Sequence, residues 1–226
     1  MRLLLFFLAC LYSQSINVTF RYVKDPSDDF VRVFVPGTMP NGTSNDWGPN
    51  SNGLISPNAL SKMVYNESTH SYEKTYSLDV GQEHLYKIHF HYNNSGTDNS
   101  WIPDPLNPLT TDDNWTNSIL NVVDPLIFQP AKHINENGGI DGFSVGIFSL
   151  DGIDSIRYSF GGDTLPGTQF LQNTGVLYIP FSPSISVYDP IWVEAYVYGE
   201  WLTVYDFDAI DIIEEPKPDG INMGPT

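Results

Sequence analysis

The chain has 226 residues, with 10 Lys and Arg against 27 Asp and Glu, and its formal net charge is -17 at pH 7. A surface this acidic repels nucleic-acid phosphates and anionic lipids, so we expect neither nucleic acid nor a membrane as a partner. The 18 Gly, the 17 Pro and an aromatic content of 14% favour strands and turns over long helices, which predicts an all-β fold.

The N-terminus has the pattern of an export signal. A positively charged start is followed by a short apolar run that ends at Ala9, and small residues at Ser13 and Ser15 predict cleavage after Ser15. We therefore expect residues 1–15 to be a signal peptide and the protein to be secreted, into the extracellular space or the periplasm. The one cysteine, Cys10, lies in this segment, so a mature chain would have no disulfide.

Short strands bounded by turn residues recur along the rest of the chain. Alternating apolar residues predict strands at 16–22, 30–35, 72–78, 85–92, 118–123, 126–128, 143–148, 155–160, 176–181, 191–198 and 201–207. This spacing is typical of β-sandwiches, and the length fits two consecutive immunoglobulin-like sandwiches at residues 16–124 and 125–215. Residues 216–226 are then a linker or the start of a further domain.

Two long loops rich in Gly, Pro and Asn are predicted at 36–57 and 93–117, and both carry tryptophan. Trp47 lies in the first loop, and Trp101 and Trp115 lie in the second. A sugar presents apolar C–H faces rimmed by hydroxyls, so a flat aromatic ring beside amide and lysine side chains makes a suitable receptor. The sequence pattern is equally compatible with tryptophans that belong to the hydrophobic core.

Other candidate motifs have structural interpretations. Residues 142–146 match the G-x-S-x-G pattern of a nucleophile elbow, but no helical pattern follows, so we interpret Ser144 as a strand residue whose replacement has no effect. His89 and His91 alternate with apolar residues, which predicts a polar strand face rather than a metal site. The carboxylates between 206 and 215 lack EF-hand spacing and predict a solvated edge. We expect no cofactor, no metal and no catalytic site in this chain.

Five segments of the first half occur in a recognisable order. They are VRVFVPG at 31–37, NDW at 45–47, YKI at 86–88, WIPDP at 101–105 and NSILNV at 117–122. Together they resemble the glycogen-binding module. This early-set immunoglobulin-like domain occurs in the β subunit of the AMP-activated kinase and ahead of the catalytic barrel in isoamylases, branching enzymes and other α-amylase-family glycoside hydrolases. The resemblance covers roughly residues 17–124, and the second half is only generically immunoglobulin-like.

The resemblance implies a binding site and a function. In that family two tryptophans stack on α-1,4-linked glucose units while a lysine and an asparagine bind the hydroxyls, and the matching residues here are Trp47, Trp101, Lys87 and Asn117. It implies non-catalytic binding of an α-glucan polysaccharide, glycogen or starch, or of a maltooligosaccharide. It further implies the N-terminal region of a secreted α-amylase-family enzyme, with a C-terminal catalytic domain outside this chain as its partner.

Two alternatives remain open. In the first, the chain is a structural or adhesive immunoglobulin-like secreted protein in which Trp47 and Trp101 are core residues and no sugar binds. In the second, it is the accessory region of a secreted esterase.

Overall fold

The computed structural model describes residues 14–25, 27–40, 47, 50–51, 54–107, 109–134, 137, 139–153, 155–160, 163–166, 174–180 and 190–208. Within these ranges every regular element is a β-strand and every pair of neighbouring strands is antiparallel, so the predicted all-β class is confirmed. No helix in the described part is long and apolar enough to cross a membrane. Residues 1–13 of the predicted signal peptide and the carboxylates beyond residue 208 lie outside the described residues.

The first half of the described chain contains ten strands. They are β1 (Ser15–Val23), β2 (Arg32–Phe34), β3 (Asn50–Ser51), β4 (Leu54–Ile55), β5 (Val64–Asn66), β6 (Ser71–Asp79), β7 (Glu83–Tyr86), β8 (Ile88–His91), β9 (Asn99–Ile102) and β10 (Ser118–Asn121). They form the sheets β1-β6-β5 and β2-β8-β9 and the two-stranded pairs β7-β10 and β3-β4. Lys87 lies between β7 and β8, at the point where the chain changes its pairing partners from β10 to β2 and β9.

The second half contributes seven further strands to the described structure. They are β11 (Leu126–Ile134), β12 (Ile140–Phe148), β13 (Ser155–Phe160), β14 (Asp163–Pro166), β15 (Thr174–Pro180), β16 (Pro190–Val197) and β17 (Glu200–Asp208). They form the sheets β11-β12-β15 and β14-β13-β16-β17. No described sheet combines strands from the two halves.

The main hydrophobic core is built from alternating residues of facing strands. Phe20 of β1 lies inside it and makes edge-on ring contacts, with centroid distances of 5.6 Å to Tyr76, 4.9 Å to Tyr86 and 5.1 Å to Phe128. Phe128 belongs to the second half, and Leu126 joins the same core. The core therefore continues across residue 124, where the sequence predicts a domain boundary, and that boundary stays a prediction.

All eleven predicted strands overlap observed ones, and the segment 85–92 is divided into β7 and β8. The structure adds β3, β4, β5, β9 and β14, which are two to four residues long. The predictions of continuous loops at 36–57 and 93–117 are wrong. The paired strands β3 and β4 lie inside the first segment, and β9, which pairs with β8, lies inside the second. Strand β1 begins at the predicted cleavage site, since its first residue, Ser15, pairs with Asp79.

Candidate functional site

Two of the predicted sugar-binding residues, Lys87 and Asn117, lie at the end of the β7-β10 strand pair. The neighbours of Lys87, Tyr86 and Ile88, are fully buried in the main core, so Lys87 faces the opposite side. Ser118 and Tyr86 form the last residue pair of β10 and β7, so Asn117 and Lys87 are the residues next to this pair. Lys87 and Asn117 are thereby close together in the fold, although the Lys87 N–H donates to the Pro36 carbonyl at 3.0 Å.

Trp101 lies one step farther along, beside β8. It pairs with His89, which is two residues from Lys87, and the two rings are in contact with centroids 4.2 Å apart. Trp101 is half-buried and packs against a small core made of Phe34, Ile55 and Ala59. The structure therefore places Trp101 in a strand, partly covered, rather than in the exposed loop that the sequence predicts.

Trp47, the fourth predicted residue, is half-buried in a turn. Residues 41–46 and 48–49 on its two sides lie outside the described residues. Its membership of the same site stays a prediction.

A tight loop next to these residues carries Trp115, which the resemblance does not single out. In this loop, defined as residues 109–117, Asp113 Oδ1 accepts hydrogen bonds from Thr111 Oγ1 at 2.7 Å and from the backbone N–H groups of Trp115 and Thr116, each at 3.0 Å. The Thr111 hydroxyl also accepts from the Asn117 N–H at 2.9 Å. The Trp115 side chain is 73% exposed, the largest exposed fraction among the large hydrophobic residues of the described chain.

Electrostatics connect this loop to Lys87. The hydroxyl of Thr111 and the backbone N–H groups of Thr116 and Trp115 hold the pKa of Asp113 below its usual value, and the charge of Lys87 lowers it further. Asp113 is therefore ionised at neutral pH and keeps its hydrogen bonds to the loop. An exposed indole, an ammonium group and an amide thus occur around one fixed carboxylate.

His89 and His91 share one face of β8, as the alternation predicts, but this polar face is not open to solvent. His89 and His91 are both fully buried, with ring centroids 5.0 Å apart, and none of their four ring nitrogens has a hydrogen-bond partner in the described structure. Phe34 contacts both histidine rings, and Ile55 and Ala59 pack against Phe34, so this face is covered. Ile55 lies in the loop that the sequence predicts at 36–57, and Ala59 lies just after it. Among the described residues, no group of three or more His, Cys, Asp or Glu is arranged to hold a metal ion.

Ser144 lies within strand β12, as the strand interpretation predicts. It is buried, and its hydroxyl accepts a hydrogen bond from Arg21 Nη1 at 2.8 Å. The sharp turn that a nucleophile elbow requires is not present at this position, since β12 continues to Phe148.

This hydrogen bond changes the expectation for Ser144→Ala from no effect to a loss of stability. The substitution removes an acceptor from a buried guanidinium group, which costs about 1–3 kcal/mol. Urea unfolding measures the loss, and Ser77→Ala, at an exposed position of β6, is the matched control with a change below about 0.5 kcal/mol. Equal unfolding midpoints for the two variants would contradict a stabilising role for the hydrogen bond between Ser144 and Arg21.

No protein-family model matches the chain, and neither a curated protein nor a solved structure is significantly similar to it. The resemblance to the glycogen-binding module therefore stays a prediction, and the functional argument depends on the residues of the site.

Proposed function

We propose that the chain binds α-1,4-glucan without cleaving it. The observation that carries the proposal is that Lys87 and Asn117 lie next to the last residue pair of β7 and β10, while Trp101 pairs with His89, two residues after Lys87. An ammonium group and an amide donate hydrogen bonds to sugar hydroxyls, and an aromatic ring packs against the apolar face of a glucose unit. These are the residue types that an α-glucan site needs, and they come from three different segments of the chain.

The proposal extends to the architecture and the biological setting. The chain consists of two consecutive immunoglobulin-like sandwiches, residues 16–124 and 125–215, and it is secreted after removal of a signal peptide. The separation of the described sheets into two groups supports the two sandwiches. The chain is then the N-terminal region of an α-amylase-family enzyme, and its role is to hold a tethered catalytic domain close to polymeric substrate, which raises the effective substrate concentration. This last step depends on the resemblance alone.

Affinity electrophoresis tests the binding function. The full chain is run through native gels with and without glycogen or soluble starch, together with Lys87→Ala and Asn117→Ala. We expect the glucan to retard the unmodified chain, and each substitution to weaken binding by about threefold to tenfold through the loss of a hydrogen bond. Lys132→Ala, in β11 of the second half, is the matched lysine control and keeps full retardation. Migration that is unchanged by every α-glucan would contradict the proposal.

One observation favours the structural alternative. Trp101 is half-buried and packs on the small core, as expected of a residue that stabilises the fold. In that case Trp101→Ala lowers the unfolding temperature, and no α-glucan retards the unmodified chain. The same gels, combined with thermal unfolding of Trp101→Ala, separate the two functions.

A further inference from the structure

Trp115 is exposed to a degree that the fold itself does not explain. An indole left in water forfeits the hydrophobic free energy that its burial would provide, and this side chain is 73% exposed. Its exposure contrasts with that of Trp101, which packs against His89 and the small core. Trp115 is thus the tryptophan of this region with the most surface available to a ligand.

The loop that carries Trp115 is held in one shape by its own hydrogen bonds. Asp113 accepts from three donors in the loop, and Thr111 N–H donates to the carbonyl of Asn117 at 2.8 Å, which closes the loop at its base. Thr116 adopts a left-handed conformation with a φ of 50°, a geometry that these hydrogen bonds stabilise. The backbone of Trp115 is therefore already ordered before a ligand arrives, which reduces the entropic cost of binding.

The groups around this loop are those that recognise a neutral polyol. The charge of Lys87 acts on Asp113, whose carboxylate binds the N–H of Trp115. Asn117 follows Trp115 by two residues, and the next residue, Ser118, pairs with Tyr86, which precedes Lys87. An apolar ring and hydrogen-bond donors in the same region suit a glucose unit, which has an apolar face and hydroxyls at its rim.

We propose that Trp115 is the principal aromatic platform of the site, and that the apolar face of one glucose unit of an α-1,4-glucan stacks on it while Lys87 and Asn117 bind the hydroxyls of that unit. This inference rests on the proposed function and adds to it the residue that contributes most to affinity. Trp101 then has the smaller role in binding and the larger role in stability.

The test compares tryptophan variants of the full chain by calorimetric titration with a soluble maltooligosaccharide. We expect Trp115→Ala to raise the dissociation constant about tenfold, because the apolar area of one indole face is lost from the contact. Trp115→Tyr keeps a flat ring and stays within about threefold of the unmodified chain. Val64→Ala removes a similarly exposed apolar side chain, 70% exposed on β5, and leaves affinity unchanged.

Thermal unfolding and tryptophan fluorescence complete the experiment. Trp115→Ala unfolds at the same temperature as the unmodified chain because the side chain is exposed, and it loses the blue shift in emission that the sugar produces when it covers an indole. If the unmodified chain binds and Trp115→Ala binds equally well, the inference is wrong and the glucan function stands. If Trp101→Ala weakens binding more than Trp115→Ala, the assignment of the principal platform is also overturned. Absence of binding by the unmodified chain contradicts the proposed function itself.

Discussion

Asp104→Ala is expected to lower the free energy of unfolding by about 3–5 kcal/mol, the range for removing one partner from a buried charged network. Asp104 is fully buried, and its carboxylate accepts hydrogen bonds from the Tyr86 hydroxyl at 2.7 Å, from Gln129 Nε2 at 2.6 Å and from the Leu106 N–H at 2.8 Å. The substitution leaves these three donors without their acceptor. It also removes one of the two negative charges, those of Glu73 and Asp104, that act on the buried guanidinium of Arg21.

Arg21 makes this network a connection between the two halves of the chain. The Gln129 side chain forms two hydrogen bonds with the backbone of Arg21. Its Oε1 accepts from the Arg21 N–H at 2.5 Å, and its Nε2 donates to the Arg21 carbonyl at 3.0 Å. The guanidinium group donates to the Gln129 carbonyl and to the Ser144 hydroxyl. Gln129 and Ser144 belong to β11 and β12, so loss of Asp104 weakens the contact between the halves as well as the first half.

The pKa shifts at these residues have opposing causes. Burial raises the pKa of Asp104, while hydrogen bonds from Tyr86 and Gln129 and the charge of Arg21 lower it again. Burial lowers the pKa of Arg21 to about 10, which still leaves the guanidinium charged at neutral pH. Arg21 therefore stays a buried cation when Asp104 is removed, and this accounts for the size of the expected effect.

Urea unfolding at neutral pH measures the effect of Asp104→Ala. Asp98→Ala, at an exposed position of the loop between β8 and β9, is the matched control and changes the stability by less than about 0.5 kcal/mol. The double variant Arg21→Met and Asp104→Leu should be less destabilised than the sum of its single substitutions, because both charges are removed together. A loss below about 1 kcal/mol for Asp104→Ala, or additive single effects, would show that the network is not coupled.

The strands could be predicted from the sequence wherever apolar residues alternate over five or more positions. The strands β1 and β6 were found in this way, because their alternating residues line the main core. The strand β9 was missed because its four residues, Asn-Ser-Trp-Ile, do not alternate, and its pairing with β8 is determined by the backbone. Short strands of this kind depend on neighbours that are distant in sequence, which a local pattern does not contain.

The candidate site was predictable only in part, for a related reason. The resemblance indicates Lys87 and Asn117, and the pairing of Ser118 with Tyr86 brings these two residues close together. The buried polar network was missed because Arg21 occupies a position of β1 that alternation assigns to the solvent side, whereas Gln129, its partner, is 108 residues away in sequence. Trp115 was recognised as a loop residue, but its exposure and the ordering of its loop by Asp113 depend on three-dimensional contacts.

Acidification is the second large perturbation: lowering the pH from 7 to 5 is expected to cost about 2 kcal/mol of stability through His89 alone. Burial and the neighbouring His91 lower the pKa of His89 from 6.5 to about 4, and burial and the charge of Arg32 lower the pKa of His91. The folded state thus holds both rings neutral, whereas the unfolded chain takes up protons below about pH 6.5. The stability is complete above that pH and is lost progressively as the pH falls toward 4.

The surroundings of His89 and His91 determine whether acid stabilises or destabilises the folded chain. The two rings contact each other, Phe34 and Trp101, and Gly96 lies against His91. The charged side chain acting on His91 is Arg32, which is positive. Among the described residues, no carboxylate is paired with either ring. A polar contact with the backbone of Ser100 raises the pKa of His89, but burial and His91 lower it by more. A buried imidazolium without an opposite charge is costly, so protonation favours the unfolded chain.

Urea unfolding between pH 7 and 4.5 tests this account with His89→Leu. The carboxylates titrate in every variant, so the informative quantity is the difference in slope between the variant and the unmodified chain. We expect His89→Leu to lose less stability on acidification than the unmodified chain does. The histidine control is His70→Asn, at a partly exposed turn with a φ of 50°. Parallel curves for the unmodified chain and His89→Leu would mean that His89 does not control the acid sensitivity.

The acid sensitivity of His89 also concerns Trp101, because the two rings pack together. Acid that displaces the His89 ring would loosen Trp101, while the loop of Trp115, which is held by Asp113, would keep its shape.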